Sequence, residues 1–167
     1  VADSNAQFAA KLAAIIGRAP DDPTLEREID EAVDRYAPAM PTAAAGAHEL
    51  LTELARRGIP MAIATNDSEN RSRGQMVALG WDGDSMGVFG ADSGHGEKPD
   101  PGMVVAAAAA MGLDPTEVAM VGDSSTDMGA GNASGAVTVL CGGRVELRET
   151  AAVVIDRLGE IIGLIDA

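Results

Sequence analysis

Val118-Ala119-Met120-Val121-Gly122-Asp123-Ser124-Ser125-Thr126-Asp127 is the stretch from which the rest of the chain can be read. Its first four residues form an apolar run with two valines, the composition of a strand buried on both faces of a parallel sheet. Gly122 lets the backbone turn sharply, and Asp123 and Asp127 follow on a loop entering a helix. In open α/β sheets, ligands bind in the crevice outside the carboxyl ends of the strands. Two carboxylates placed there repel each other unless a cation or a lysine stands between them. Hard oxygen ligands of this kind suit Mg²⁺. The plainer alternative is a helix N-cap at Asp123 with an acidic first turn, stabilised by the helix dipole. The stretch alone supports both readings.

Outward from it, helices and strands alternate. On the N-terminal side, Leu50, Leu51 and Leu54 mark a helix ending at Arg56-Arg57-Gly58, and residues 59–64 form a strand with Pro60 near its start. A polar helix is predicted over 68–79, a short strand over 87–90, and a helix from Asp100-Pro101 to Met111-Gly112. On the C-terminal side come a helix near 127–134, the strand Val137-Thr138-Val139-Leu140-Cys141, a Gly-Gly turn, the strand Val153-Val154-Ile155 and a helix over 158–166. This alternation implies right-handed crossovers and an α/β fold with a doubly wound, mainly parallel, Rossmann-like sheet. Residues 1–43 differ in texture. Phe8, Leu12, Ile15 and Ile16 share one face of a helix over 5–17 that stops at Gly17. Asp22-Pro23 starts a second helix striped by Leu25, Ile29 and Val33, which Pro38 and Pro41 end. The expected organisation is a helical segment over 1–43, with a hinge at 37–43, and an α/β core over 44–167.

Composition narrows the class. Among 167 residues, 12 are Lys or Arg and 26 are Asp or Glu, giving a net charge of −14. Nucleic acid and anionic membrane surfaces both need a basic face, so neither is an expected partner. A small phosphorylated substrate is still compatible, because a metal and one lysine set the local field. Aromatics are confined to Phe8, Tyr36, Trp81 and Phe89, so the core must be built from Ala, Val, Leu, Ile and Met. Cys141 is the single cysteine, which rules out an intrachain disulfide and fits a buried, inert thiol in a reducing, cytoplasmic setting. No apolar run has the length of a membrane span.

Polar groups now fall at strand ends or on the loops beyond them: Thr65 ends one strand, Lys98 lies in a helix-entry loop, and Asp123 with Asp127 follows another strand. A phosphoryl site needs such parts: a hydroxyl donor, a fixed cation and metal-binding carboxylates aimed at developing charge. Singly, Thr65 could cap the following helix, and Lys98-Pro99-Asp100-Pro101 could be a rigid helix entry. In this order, Ile63-Ala64-Thr65-Asn66, Lys98-Pro99-Asp100-Pro101 and Val121-Gly122-Asp123-Ser124-Ser125-Thr126-Asp127 closely resemble motifs two, three and four of the haloacid dehalogenase-like phosphatases, nearest to the phosphoglycolate-phosphatase-like branch.

The resemblance covers about residues 44–160. It implies a Mg²⁺-dependent phosphatase of small phosphate monoesters. Thr65 would hydrogen-bond the phosphoryl oxygens, Lys98 would neutralise nucleophile and phosphate, and Asn66 would line the substrate pocket with Ser124. Asp123 would bind Mg²⁺ with Ser124 beside it, and Asp127 would hold a metal-bound water or orient Lys98. Residues 5–36 look like all or part of the family's small cap, which closes over substrate.

One departure stands against these matches. The family's first motif, an Asp-x-Asp-Gly-Thr run whose first Asp attacks phosphorus and whose second is general acid and base, is absent. No strand precedes residue 5, and Asp82-Gly83-Asp84 follows no apolar run. In the family fold the missing strand lies between those ending at Thr65 and Gly122. The expectation is therefore a truncated start, a processed chain or a partner that supplies the strand (a homo-oligomer included). Between residues 60–64 and 118–121 it is either a gap or a shared strand, filled by another chain or by rearrangement. The alternative function is a pseudo-phosphatase or fragment without turnover. Val1-Ala2-Asp3-Ser4 could be the remnant just after that motif. A response-regulator receiver is set aside, because its acidic residues precede the Thr and Lys. The glycines from Gly129 to Gly135 have the wrong spacing for a dinucleotide fingerprint and fit close helix packing. Asp92, His95 and Glu97 read as a solvated loop rather than metal ligands, and His48 as a surface residue.

Overall fold

The computed structural model describes residues 5–19, 22, 24, 25, 27–29, 31, 41–81, 86–143 and 145–166. The chain divides into two compact units, 1–40 and 41–167.

The first unit contains α1 (Asn5–Ile16), with Ala13 fully buried. Gly17, at φ 73°, ends it in the left-handed conformation that glycine adopts without steric cost, and the Arg18 amide closes onto the Ala13 carbonyl at 2.9 Å. Asp22 accepts the Thr24 amide at 2.9 Å, the N-cap bond anticipated at this position. The Thr24 hydroxyl donates to the same carboxyl at 2.6 Å, and this bond first, then the amide's, with Arg18 beside them, push the Asp22 carboxyl down to about 2. Of the second predicted helix, Thr24, Leu25, residues 27–29 and Glu31 are helical, and Leu25 is buried. Val33, Tyr36, Pro38, the hinge residues 37–40, Val1-Ala2-Asp3-Ser4 and Asp82-Gly83-Asp84 lie outside the described residues.

The second unit is α/β. In chain order it runs α2 (Ala47–Arg56), β1 (Ala62–Ala64), α3 (Glu69–Ala78), β2 (Gly87–Phe89), α4 (Gly102–Ala110), β3 (Ala119–Gly122), α5 (Ser125–Ser134), β4 (Val137–Cys141), β5 (Val153–Ile155) and α6 (Glu160–Ile165). Every strand pairing is parallel, as the alternation implied. β1 is shorter than its apolar run. Gly58 turns the chain at φ 68°, the Ile59 amide is spent on the Leu54 carbonyl at 3.0 Å, and Pro60 has no N–H. Ladder pairing therefore begins at Ala62. Two 3₁₀ turns, Pro115–Glu117 and Val145–Thr150, fall in segments read from the sequence as connections.

The strands form two sheets, β1-β2 and β3-β4-β5, and β1 does not pair with β3. The anticipated break between residues 60–64 and 118–121 is present among the described residues. Each side has its own apolar cluster. Met76, Met86 and Val88 pack with Leu51, Met61, Ile63 and Trp81 on one side. Val104, Met120, Ala130 and Ala136 pack with Val118 on the other. Helix α4 touches β1, β2 and α5, so its Met103, Val104, Ala107 and Ala108 face knits the halves together. Met103, Met128 and Leu140 are the largest fully buried apolar side chains, in keeping with a core short of aromatics. The Gly129–Gly135 cluster is a packing surface. A Cβ on Gly131 would lie 2.6 Å from the Thr138 methyl, and one on Gly129 would lie 2.7 Å from Pro99 Cβ.

Candidate active site

The first part of the site is the turn after β3. Helix α5 begins at Ser125, two residues earlier than its polar pattern suggested, and its N-cap is Ser124 rather than Asp123. Ser124 Oγ accepts the Asp127 amide at 3.1 Å, and Asp127 Oδ2 in return accepts the Ser124 amide at 3.1 Å and the Ser124 hydroxyl at 2.6 Å. This reciprocal box satisfies the first turn and fixes the Asp127 side chain. Gly122 is required by the arrangement, since a Cβ there would sit 2.4 Å from the Asp127 carboxyl.

The second part is Lys98, which reaches in from the loop before α4. Its ammonium donates to Asp127 Oδ1 at 2.6 Å and to the Ala64 carbonyl, the last of β1, at 2.7 Å. The Lys98 and Asp127 side chains are 10% and 9% exposed, so the two charges neutralise each other in a nearly dry setting. The carboxyl ends of β1 and β3, which share no hydrogen bond, are thus tied together by one side chain.

The third part is the turn after β1. Thr65 continues the ladder with its amide on the Phe89 carbonyl at 2.9 Å, and its hydroxyl accepts the Asp67 amide at 3.1 Å. It does not cap α3; Ser68 does, accepting the Arg71 amide. Asn66 bonds the main chain of Lys98 through both ends of its carboxamide, at 2.9 Å each. Thr65, Asn66, Lys98 and Asp127 are therefore joined by direct hydrogen bonds or by adjacency in the chain.

Asp123 stands apart. It is exposed and accepts no side-chain hydrogen bond from the described residues. Both oxygens of Asp127 are already engaged, and no group of three or more His, Cys, Asp or Glu residues forms a metal cluster among the described residues. Mg²⁺ is commonly held by one or two carboxylates with waters and substrate phosphate completing the shell. Asp123 fits that partial donor set as a hard, exposed ligand one residue before the Ser124 that binds Asp127.

Neighbouring groups lie elsewhere. Asp92 Oδ1 accepts the Glu69 amide at 2.7 Å in the first turn of α3, and His95 is exposed, with its ring 5.7 Å from that of Phe89. His48 is exposed on α2. Burial pushes the Cys141 thiol up, with Glu160, Asp123 and Asp156 adding in the same direction, so its thiolate is suppressed. The Ala64 carbonyl has no signature in a sequence, and reading from side chains alone missed its role. The Ser124 cap was legible in principle, because Ser-x-x-Asp is a capping-box spacing.

A parallel α/β core with a lysine–carboxylate pair and a free carboxylate at its strand ends belongs to the class of Rossmann-like folds that act on ligands at that edge. Residues 2–135 match the family model described as haloacid dehalogenase-like hydrolase, and the chain belongs to that family. It is 35% identical over 131 residues to a phosphoglycolate phosphatase of Rhodospirillum rubrum, covering 75% of this chain and 54% of that protein. It is 27% identical over 166 residues to an N-acetylmuramic acid 6-phosphate phosphatase of Pseudomonas aeruginosa, covering 94% of this chain and 74% of that one. The chain thus spans about half the length of the first of these relatives, 54%. In fold it is similar to the crystal structure of a hydrolase from Pseudomonas syringae, with a TM-score of 0.81 at 24% identity, covering 98% of this chain and 78% of that one.

Proposed function

We propose that this chain carries the phosphate- and metal-binding parts of a Mg²⁺-dependent phosphatase acting on small phosphate monoesters, of the phosphoglycolate-phosphatase kind. The observation that carries the reading is the Lys98 ammonium, held between Ala64 and Asp127 at 2.7 and 2.6 Å. An ammonium has three donors, so one remains for a phosphoryl oxygen. Thr65 supplies a hydroxyl hydrogen, since its oxygen accepts from the Asp67 amide. Asn66 has one uncommitted N–H with which to meet substrate. Asp123, with Ser124 beside it, would hold Mg²⁺, which supplies charge neutralisation when bound. Asp127 keeps Lys98 aimed. Residues 1–43 are assigned as a helical cap or cap remnant and 44–167 as the core, and a small phosphorylated metabolite in a cytoplasmic setting agrees with the −14 charge and single cysteine.

A second reading is a non-catalytic relative that binds phosphate without turnover. It is favoured by the roles open to the two carboxylates at the site. Asp127 is spent on Lys98 and Ser124, and Asp123 cannot attack phosphorus without leaving the metal. The test is phosphate release from phosphoglycolate and para-nitrophenyl phosphate, with and without EDTA. We expect negligible turnover from the 167-residue chain. An appended N-terminal strand ending in Asp-x-Asp should recover activity by several orders of magnitude, the scale of a restored nucleophile. Asp123→Ala in that restored protein should abolish it. Strong EDTA-sensitive turnover by the unmodified chain would show that the nucleophile is among the residues assigned otherwise here.

A further inference from the structure

The segment leaving β1 holds Lys98 at two places. The Ala64 carbonyl accepts from the ammonium at 2.7 Å. Two residues on, Asn66 Nδ2 donates to the Lys98 carbonyl and the Lys98 amide donates to Asn66 Oδ1, each at 2.9 Å. The Lys98 main chain lies outside every strand and helix, and Pro99 has no N–H to offer in its place. One planar carboxamide therefore acts as a surrogate peptide unit for both groups. A single hydrogen bond would leave the loop free to pivot; two parallel bonds fix position and orientation together. This matters for lysine above most residues, because its four-carbon stem is flexible. Asp127 restrains only the far end of that stem.

We propose that Asn66 is a positioning residue for Lys98, anchoring its main chain so that the ammonium stays at the strand ends beside Thr65. The functional meaning of this grip rests on the phosphoryl-site reading, but the grip itself can be measured without turnover. Lys11 and Lys98 are the only lysines in the sequence. Trace labelling with acetic anhydride, quantified by peptide mass spectrometry, reads Lys98 against the exposed Lys11 as internal standard. In the wild-type chain Lys98 should label more slowly than Lys11. Asn66→Ala should raise the Lys98 rate roughly tenfold with Lys11 unchanged, the scale of losing one or two ordinary hydrogen bonds. Asn66→Asp keeps the acceptor for the Lys98 amide and loses the donor, so its rise should be smaller.

A merely structural role would lower the urea midpoint and leave the labelling ratio in water unmoved. Equal ratios in wild type and folded variants would overturn the proposal. If Asn66→Ala does not fold by circular dichroism, the near-isosteric Asn66→Asp decides in the same assay. Orthophosphate with Mg²⁺, added to the wild type, should protect Lys98. Failure of that arm alone would remove the phosphoryl-site reading while the grip stood, so the two failures are told apart.

Discussion

Lys98 and Asp127 are each about a tenth exposed and bonded at 2.6 Å, so neither can be changed alone without stranding the other. Asp127→Ala leaves a buried ammonium with one carbonyl for company, and the expected loss is about 3–5 kcal/mol in urea unfolding. The double variant Lys98→Met, Asp127→Leu removes both charges and should regain most of that loss. A double variant as unstable as the single one would contradict this account. Gly131→Ala should also destabilise, by about 1–3 kcal/mol, because its Cβ would press on Thr138 and Met120. Thermal unfolding at the wild-type midpoint or above it would refute the close-packing role. At this scale the sequence was informative wherever a side chain does the work: Thr65, Lys98 and Asp127 stood out by type and order. It was silent where the main chain does the work, as at the Ala64 carbonyl. It also could not separate Asp123 from Ser124 as the cap, since both residue types cap helices and only the backbone turn selects one.

Among the elements, α2 and α6 are joined by charge. Arg57 donates to Asp166 at 2.5 Å and to Glu53 at 2.7 Å, while Arg56 also donates to Glu53. Arg56 first and Arg57 next hold the Glu53 carboxyl down, from the ordinary 4.5 to about 2, and Arg57 lowers Asp166 likewise. A depressed carboxyl binds fewer protons in the folded state than in the unfolded one. Its contribution is therefore complete above 4.5 and fades as pH falls toward 2. The melting temperature should decline across that interval, and Arg57→Ala should flatten the decline. A variant whose melting temperature tracks the wild type throughout would show that these pairs are silent. Element types were legible because hydrophobic periodicity records which face is buried. Boundaries were not, because they depend on where single amides go. The Ile59 amide turns back to Leu54, and that one bond delays β1 past its apolar run.

For the molecule as a whole, the parallel α/β order could be read from alternation, and the break between β1 and β3 from the motif that does not appear. An added strand between them would satisfy main-chain groups along two edges at once. Appending one should raise the melting temperature by about 4 °C or more, which is on the order of 1 kcal/mol for a domain of this size. No rise, with the strand accessible to protease, would mean that the edges do not accept it. The same arrangement bears on how the core breathes. With separate apolar clusters on either side, and α4 and the Lys98 bridge as the joints, the β1-β2 half and the β3-β4-β5 half should open as distinct cooperative units. Native-state hydrogen exchange should resolve two classes of amide, with those of β4, flanked by strands on both sides, exchanging last. The turn carrying Thr65 leaves β1 and would open with the β1-β2 half, so under the phosphatase proposal phosphate affinity would gauge how often that half comes loose.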